Sequence, residues 1–277
     1  MTKSAVTRES VRAGAMERTY LLARPKETSR TPIVLYLHGS SQNADGARGF
    51  TANAFERFGA LVAYPDGYRR HWNDARRDIP FATRKAGIDD VAFIQAVVDR
   101  LVDHGGDPSR VYLVGYSNGG HMIIRLIHEI PDRFAGVAII AATQPEEQNF
   151  VPAARRTDPL PVLLINGTKD PLVPYAGGVT SMWGFFPRGR HVSAADTAAY
   201  YARRNGITAA PRHNSVSAGR LPVERLEYPY DEHPVVLYTV HGGGHTIPGT
   251  KRALPILGRT AMDFDAPAVI ADFFGLR

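Results

Sequence analysis

Short apolar runs recur along this chain, each closed by a glycine, a proline or a polar turn. Residues 33–37 (Ile-Val-Leu-Tyr-Leu), 60–64, 134–141, 161–165 and 235–240 are apolar almost throughout. Continuous rather than alternating apolarity predicts strands covered on both faces. Residues 6–12 and 18–23 instead alternate around Gly14 and predict an antiparallel hairpin. Between the buried runs lie segments with helical spacing. Residues 88–104 carry Val91, Ile94, Val97, Val98 and Leu101 on one face and stop at Gly105-Gly106. Helices are also expected over 43–58, 121–130, 196–204 and 266–274. Buried strands alternating with helices imply βαβ units, hence an α/β three-layer sandwich with a mostly parallel central sheet behind the N-terminal hairpin. Two stretches, 143–159 and 175–193, fit neither pattern. The second carries Met182-Trp-Gly-Phe-Phe-Pro187. Unpatterned loops of that length are usually functional, so a substrate-pocket loop or partial lid is expected there, within one catalytic domain spanning 1–277.

Composition narrows the classes. Hydrophobic residues make up 44% of the 277 and charged residues 22%, as in ordinary globular chains. The net charge of +6 is scattered, with adjacent arginines only as the pairs Arg69-Arg70, Arg76-Arg77, Arg155-Arg156 and Arg203-Arg204. Pairs read as solvated faces, and nucleic-acid binding is not expected. With no cysteine in the chain, disulfides, thiolate catalysis and Cys-based zinc sites are excluded. No apolar run approaches the length of a membrane span. Residues 1–10 contain no apolar core, so the chain reads as cytoplasmic, or as secreted where a leader has been removed.

The chemistry concentrates at residues 111–120, Val-Tyr-Leu-Val-Gly-Tyr-Ser-Asn-Gly-Gly. An apolar run ends in G-x-S-x-G and a helix-compatible segment follows, which is the strand–turn–helix context of a nucleophile elbow. Side chains at Gly115 and Gly119 would collide with the neighbouring strand and helix. The simpler alternative is an ordinary turn with Ser117 as helix cap. A serine nucleophile needs a base within hydrogen-bond reach and a carboxylate to orient that base. In α/β-hydrolases these follow in the order Ser, Asp or Glu, His. Here a buried run leads into Asn166-Gly-Thr-Lys-Asp170, and another into His241-Gly-Gly-Gly-His245. Asp170 is preferred over Asp66, which precedes the serine, and over Asp196, Asp89 and Asp90, which suit helix starts. His245 follows three glycines that let the chain bend over the sheet edge, whereas His241 at the strand end more simply packs. The remaining histidines suit structural or surface roles, and no metal-ligand spacing occurs, so no metal is expected. The oxyanion donors are expected at the Asn118 amide and in the loop after the first central strand, at Ser40 with Gly39 as alternative.

Together, 37–39 (Leu-His-Gly), 64–67 (Tyr-Pro-Asp-Gly), 115–120, 166–170 with Val173-Pro174, and 242–249 (Gly-Gly-Gly-His-Thr-Ile-Pro-Gly) resemble the polyhydroxybutyrate depolymerase family. That family is grouped with feruloyl and acetylxylan esterases in the α/β-hydrolase fold, and residues 17–22 resemble its first strand. The resemblance runs from about residue 12 to about residue 250. It implies Ser117 as nucleophile, Asp170 as acid and His245 as base, in a carboxylic ester hydrolase that uses no cofactor. The chain departs from the family in having no cysteine, Ile247 where tryptophan is common, and no polymer-binding module. These departures favour a small-molecule or oligomeric ester (short-chain, hydroxyalkanoate or feruloyl-type aryl) over solid polymer. Ile247, Trp183, Phe185 and Tyr175 are the expected substrate-pocket residues, with Phe186 and Trp72 as further candidates. For the aromatic cluster, core packing is the alternative. A peptidase or acyltransferase could use the same triad, and a catalytically silent ligand-binding α/β-hydrolase is the alternative of another class.

Overall fold

The computed structural model describes residues 5–26, 30–151 and 156–276. Arg155, one of the paired arginines, lies outside them. The hairpin is formed by β1 (Ala5–Ala13) and β2 (Met16–Arg24), paired antiparallel from Ala5↔Arg24 to Ala13↔Met16. The buried runs become β3 (Thr31–Leu37), β4 (Leu61–Pro65), β5 (Gly106–Tyr116), β6 (Gly136–Ile140) and β7 (Val162–Gly167). Two two-residue strands, β8 (Gly178–Val179) and β9 (Arg190–His191), pair with each other. β10 (Arg212–Ser217), β11 (Val223–Tyr228) and β12 (Val235–Val240) complete the main sheet. Its ten strands run in the order β1-β2-β4-β3-β5-β6-β7-β12-β11-β10. The six strands from β4 to β12 are parallel, and antiparallel strands flank them on both sides.

Successive residues of each central strand enter opposite cores, because side chains alternate along a strand. Leu35, Leu113, Ile139, Leu164 and Leu237 face one apolar cluster. It also holds buried residues of α3 (Asp90–Asp103), α4 (Asn118–Glu129) and α5 (Ala194–Arg204). Tyr36, Val114, Ile140, Ile165 and Val236 face the other, with residues of α1 (Ala44–Phe50) and α6 (Ala266–Phe273). One turn of helix, α2 (Ala82–Lys85), lies in the connection before α3. Three layers therefore form as the pattern predicts.

Three expectations change. The predicted helix 43–58 ends at Phe50, because Ala52 and Asn53 take positive φ (52° and 60°) before a short 3₁₀ turn over Ala54–Phe58. The reversal puts Phe50 against Tyr116 and Phe55 against Tyr36. Strands β10 and β11 lie in a stretch where no strand was expected. Not all the paired arginines are solvated. Arg76 is buried on Asp74, and Arg204 donates to the Ile127 and Asp158 carbonyls at 2.6 and 3.0 Å. Among the described residues, no helix is long and apolar enough to cross a membrane.

Candidate active site

Ser117 stands between the last residue of β5 and the first of α4 with φ 56° and ψ −116°. That is a strained conformation for a residue with a side chain, costing about 1–3 kcal/mol. The turn can be this tight only because its flanks lack side chains. A Cβ at Gly115 would lie 2.6 Å from the Gly119 carbonyl oxygen, and one at Gly119 would lie 2.0 Å from that of Leu37. The collisions expected at these two glycines are thus present, with α4 and with the end of β3.

β7 and β12 are parallel neighbours and release their loops at the same edge. After β7, Asp170 turns its carboxylate inward. Its Oδ1 accepts the Leu172 and Val173 backbone N–H groups, both at 2.8 Å. After β12, Gly243 and Gly244 pass so close to neighbouring backbone that a Cβ at Gly244 would meet the Leu257 carbonyl oxygen at 2.1 Å. The His245 N–H donates to that carbonyl at 2.7 Å, and the Tyr116 hydroxyl donates to the His245 carbonyl at 2.7 Å. The imidazole so placed has Nδ1 2.7 Å from Asp170 Oδ2 and Nε2 2.8 Å from Ser117 Oγ. The carboxylate can only accept, so Nδ1 carries the proton and Nε2 is free to accept from the serine hydroxyl. Ser117, Asp170 and His245 are therefore brought together in a single hydrogen-bonded line.

The competing residues lie elsewhere. Asp66 accepts from Arg8, Thr19 and the Ala44 N–H. Asp89 caps α3, and Asp90 is buried against Arg18. The α5 cap is Ser193, whose hydroxyl donates to the Asp196 carboxylate at 2.6 Å. His241 stands against Glu224 on β11, 3.0 Å away.

The loop after β3 lies against the elbow, since a Cβ at Gly39 would stand 3.5 Å from Ser117 Cβ. The Gly39 N–H is occupied by Gln42 Oε1 at 3.1 Å. The Ser40 and Asn118 N–H groups meet no acceptor among the described residues. His38 braces the loop. Its Nε2 accepts the Gly67 N–H at 2.9 Å and its Nδ1 donates to the Gly39 carbonyl at 2.8 Å. Burial holds the His38 ring down to about 4, in its neutral form.

The pocket candidates divide. Ile247 and Trp72 are fully buried. Ile247 belongs to the apolar core, and Trp72 packs on His38 while donating from Nε1 to the His38 carbonyl at 2.9 Å. Neither lines an open cleft, because packing that the local sequence does not reveal encloses both. Tyr175 is half-buried and bonds Thr239 at 2.8 Å. Trp183 is 42% exposed, Phe185 72% and Phe186 70%, which excludes core packing for this cluster. They sit on a tight turn closed by mutual Met182–Phe185 backbone bonds, with positive φ at Trp183 and Gly184. The turn is moored to both loops of the site. The Ser181 N–H donates to the Leu172 carbonyl at 3.2 Å, and Trp183 Nε1 to the Ile256 carbonyl at 3.1 Å. Leu254 and Ile256, also exposed, extend the same apolar rim.

Sequence reading missed Tyr116, whose hydroxyl steadies the His245 backbone, and the buried net in which Asn118 bonds Trp72 and Asp74. No local signal marks either, because the partners are 129, 46 and 44 positions away. Among the described residues, no cluster suited to a metal ion occurs.

Residues 61–183 match the phospholipase/carboxylesterase family. A protein of Nocardia uniformis subsp. tsuyamanensis that carries the name of an esterase, NocK, is 36% identical over 237 residues, covering 79% of this chain and 66% of that one. Feruloyl esterase B of Piromyces equi is 28% identical over 219 residues, covering 77% of this chain and 39% of that one. The chain thus spans less than two thirds of the length of either relative. The solved acetyl xylan esterase of Aspergillus awamori superposes over 98% of this chain and 100% of its own with a TM-score of 0.64, and at 15% identity the likeness is one of fold.

Proposed function

We propose that this chain, which belongs to the α/β-hydrolases alongside feruloyl and acetylxylan esterases and polyhydroxybutyrate depolymerases, hydrolyses carboxylic esters through an acyl-enzyme on Ser117. The observation that carries the reading is the unbroken line from Asp170 through His245 to Ser117, with contacts of 2.7 and 2.8 Å. His245 Nε2 takes the hydroxyl proton as Ser117 Oγ attacks the ester carbonyl. Asp170 stabilises the imidazolium that forms. The Asn118 and Ser40 N–H groups receive the tetrahedral oxyanion. Collapse breaks the ester C–O bond, and His245 passes its proton to the departing alkoxide. A water deprotonated by His245 then attacks the acyl carbonyl, releasing the acid and restoring Ser117.

The substrate is an ester of a small aromatic or short apolar acid. Trp183, Phe185 and Phe186, with Leu254 and Ile256, offer an apolar rim moored to the loops of Asp170 and His245. Residues 175–193 act as a substrate-contacting loop of the same catalytic unit.

Replacing Ser117 by Ala tests the reading. Turnover of p-nitrophenyl acetate is expected to fall by roughly 10⁴-fold or more, with loss of labelling by a fluorophosphonate probe. Near-normal turnover by the Ser117→Ala protein refutes it.

A further inference from the structure

Behind the loop that carries His245, Arg220, Leu221 and residues drawn from the 252–263 segment line a cavity of about 630 Å³. Three arginines border it, Arg220, Arg252 and Arg259, over a lining that includes Leu221, Ala261 and Met262. Some exposed or half-exposed arginines elsewhere find carboxylates, as Arg48 does on Glu56, Arg57 on Asp265 and Arg125 on Glu129, while others, such as Arg12 and Arg110, donate to backbone carbonyls. Among the described residues, none of the three around the cavity has such a partner. The one carboxylate in the lining, Asp263, faces Ser217 Oγ at 3.5 Å and lies against Gly219. Three arginines thus line one cleft that holds a single carboxylate. A lining of net positive charge favours an anion, and guanidinium forks suit a carboxylate. The volume falls in the usual range for small-molecule sites, about 300–1,000 Å³. Bare inorganic anions would leave the apolar lining unused.

We propose that this cavity is a binding site for an organic carboxylate, its head held by Arg220, Arg252 and Arg259 and its apolar body laid on Leu221, Ala261 and Met262. The site backs directly onto the catalytic loop. The Arg259 carbonyl accepts the Gly244 N–H at 2.9 Å, and a Cβ at Gly244 would stand 2.6 Å from Gly258 Cα. Ester hydrolysis releases an acid of the same chemical class, but binding here stands or falls independently of that reaction.

The test uses sodium benzoate as probe, titrated into the full chain by calorimetry at low salt, with benzamide and inorganic phosphate as comparators. Benzoate is expected to saturate one site at least tenfold more tightly than either comparator. Arg252→Glu and the double change Arg220→Ala with Arg259→Ala are each expected to weaken it at least fivefold, with unfolding midpoints and p-nitrophenyl acetate hydrolysis retained. The dependence on these arginines separates the cavity from any binding of benzoate beside Ser117. No saturable binding, equal binding of benzamide, equal binding of phosphate, or unchanged affinity in both folded variants each overturns the proposal.

Discussion

Replacing Asp170 by Asn tests the polar line at its most informative joint. In the native protein one carboxylate oxygen accepts two backbone N–H groups, from Leu172 and Val173, while the other faces His245 Nδ1 at 2.7 Å. An asparagine has one acceptor oxygen and one donor NH₂. Two fixed N–H donors demand the oxygen, so the NH₂ must point at Nδ1. His245 can then be neutral only as the other tautomer, with its proton on Nε2 aimed at Ser117 Oγ. A histidine in that state cannot accept the serine proton. A triad held in the wrong tautomer loses roughly 10⁴-fold in kcat, equivalent to about 5 kcal/mol of transition-state stabilisation. The fold should scarcely notice, since the backbone donors keep their acceptor. Asp170→Ala makes the contrast. It removes the acceptor as well, leaving two partly buried N–H groups unpaired at a cost of about 2 kcal/mol in stability. Burst and steady-state kinetics on p-nitrophenyl acetate, beside urea unfolding of both variants, separate the two effects. An Asp170→Asn protein with kcat within tenfold of the parent would refute the orientation argument. Equal stability of the Ala and Asn variants would refute the role given to the Leu172 and Val173 amides.

Gly119→Ala places a Cβ 2.0 Å from the Leu37 carbonyl oxygen, so an unfolding free-energy loss of about 3 kcal/mol or more is expected, and wild-type urea stability would contradict the packing of α4 on β3. Burial holds His38 neutral down to about 4 against an ordinary value of 6.5. The unfolded chain therefore binds the proton more readily between these limits, and stability is expected to fall as pH drops from about 6.5 to about 4, by up to about 3 kcal/mol from this ring alone. An NMR titration that finds the His38 ring protonating near 6.5 would contradict this. Trp183→Ala releases the 182–185 turn from Ile256 and removes part of the apolar rim. KM for an aryl ester is expected to rise several-fold with kcat within twofold, and unchanged KM would remove Trp183 from the substrate contacts.

The features legible in the chain are those that a single strand and its exit turn determine. β3, β4, β6, β7 and β12 announce themselves because both faces of each are covered, leaving few polar positions to interrupt the run. β10 and β11 do not, because the residues of β10 are largely exposed and those of β11 mostly half-buried, and both strands extend the sheet outward from β12. The three residues of the polar line could be read for the same reason as the strands. Ser117, Asp170 and His245 each sit just beyond the end of a buried run, in turns where glycine or a short polar sequence permits a close approach. What local sequence cannot carry is depth. Trp72 and Ile247 stand as near to motif residues as Trp183 does, yet both are enclosed, whereas Trp183 is held outward by a turn with two positive φ values. The same limit hides Tyr116. Its position in the elbow motif says nothing of the His245 carbonyl to which its hydroxyl donates. That bond has a mechanical consequence. His245 is held through its own backbone at two points, by Leu257 at its N–H and by Tyr116 at its carbonyl. The position of its main chain is thereby fixed by contacts other than those of the imidazole with Asp170 and Ser117. In the proposed reaction, part of the preorganisation of His245 as base thus resides in contacts outside the three residues of the line.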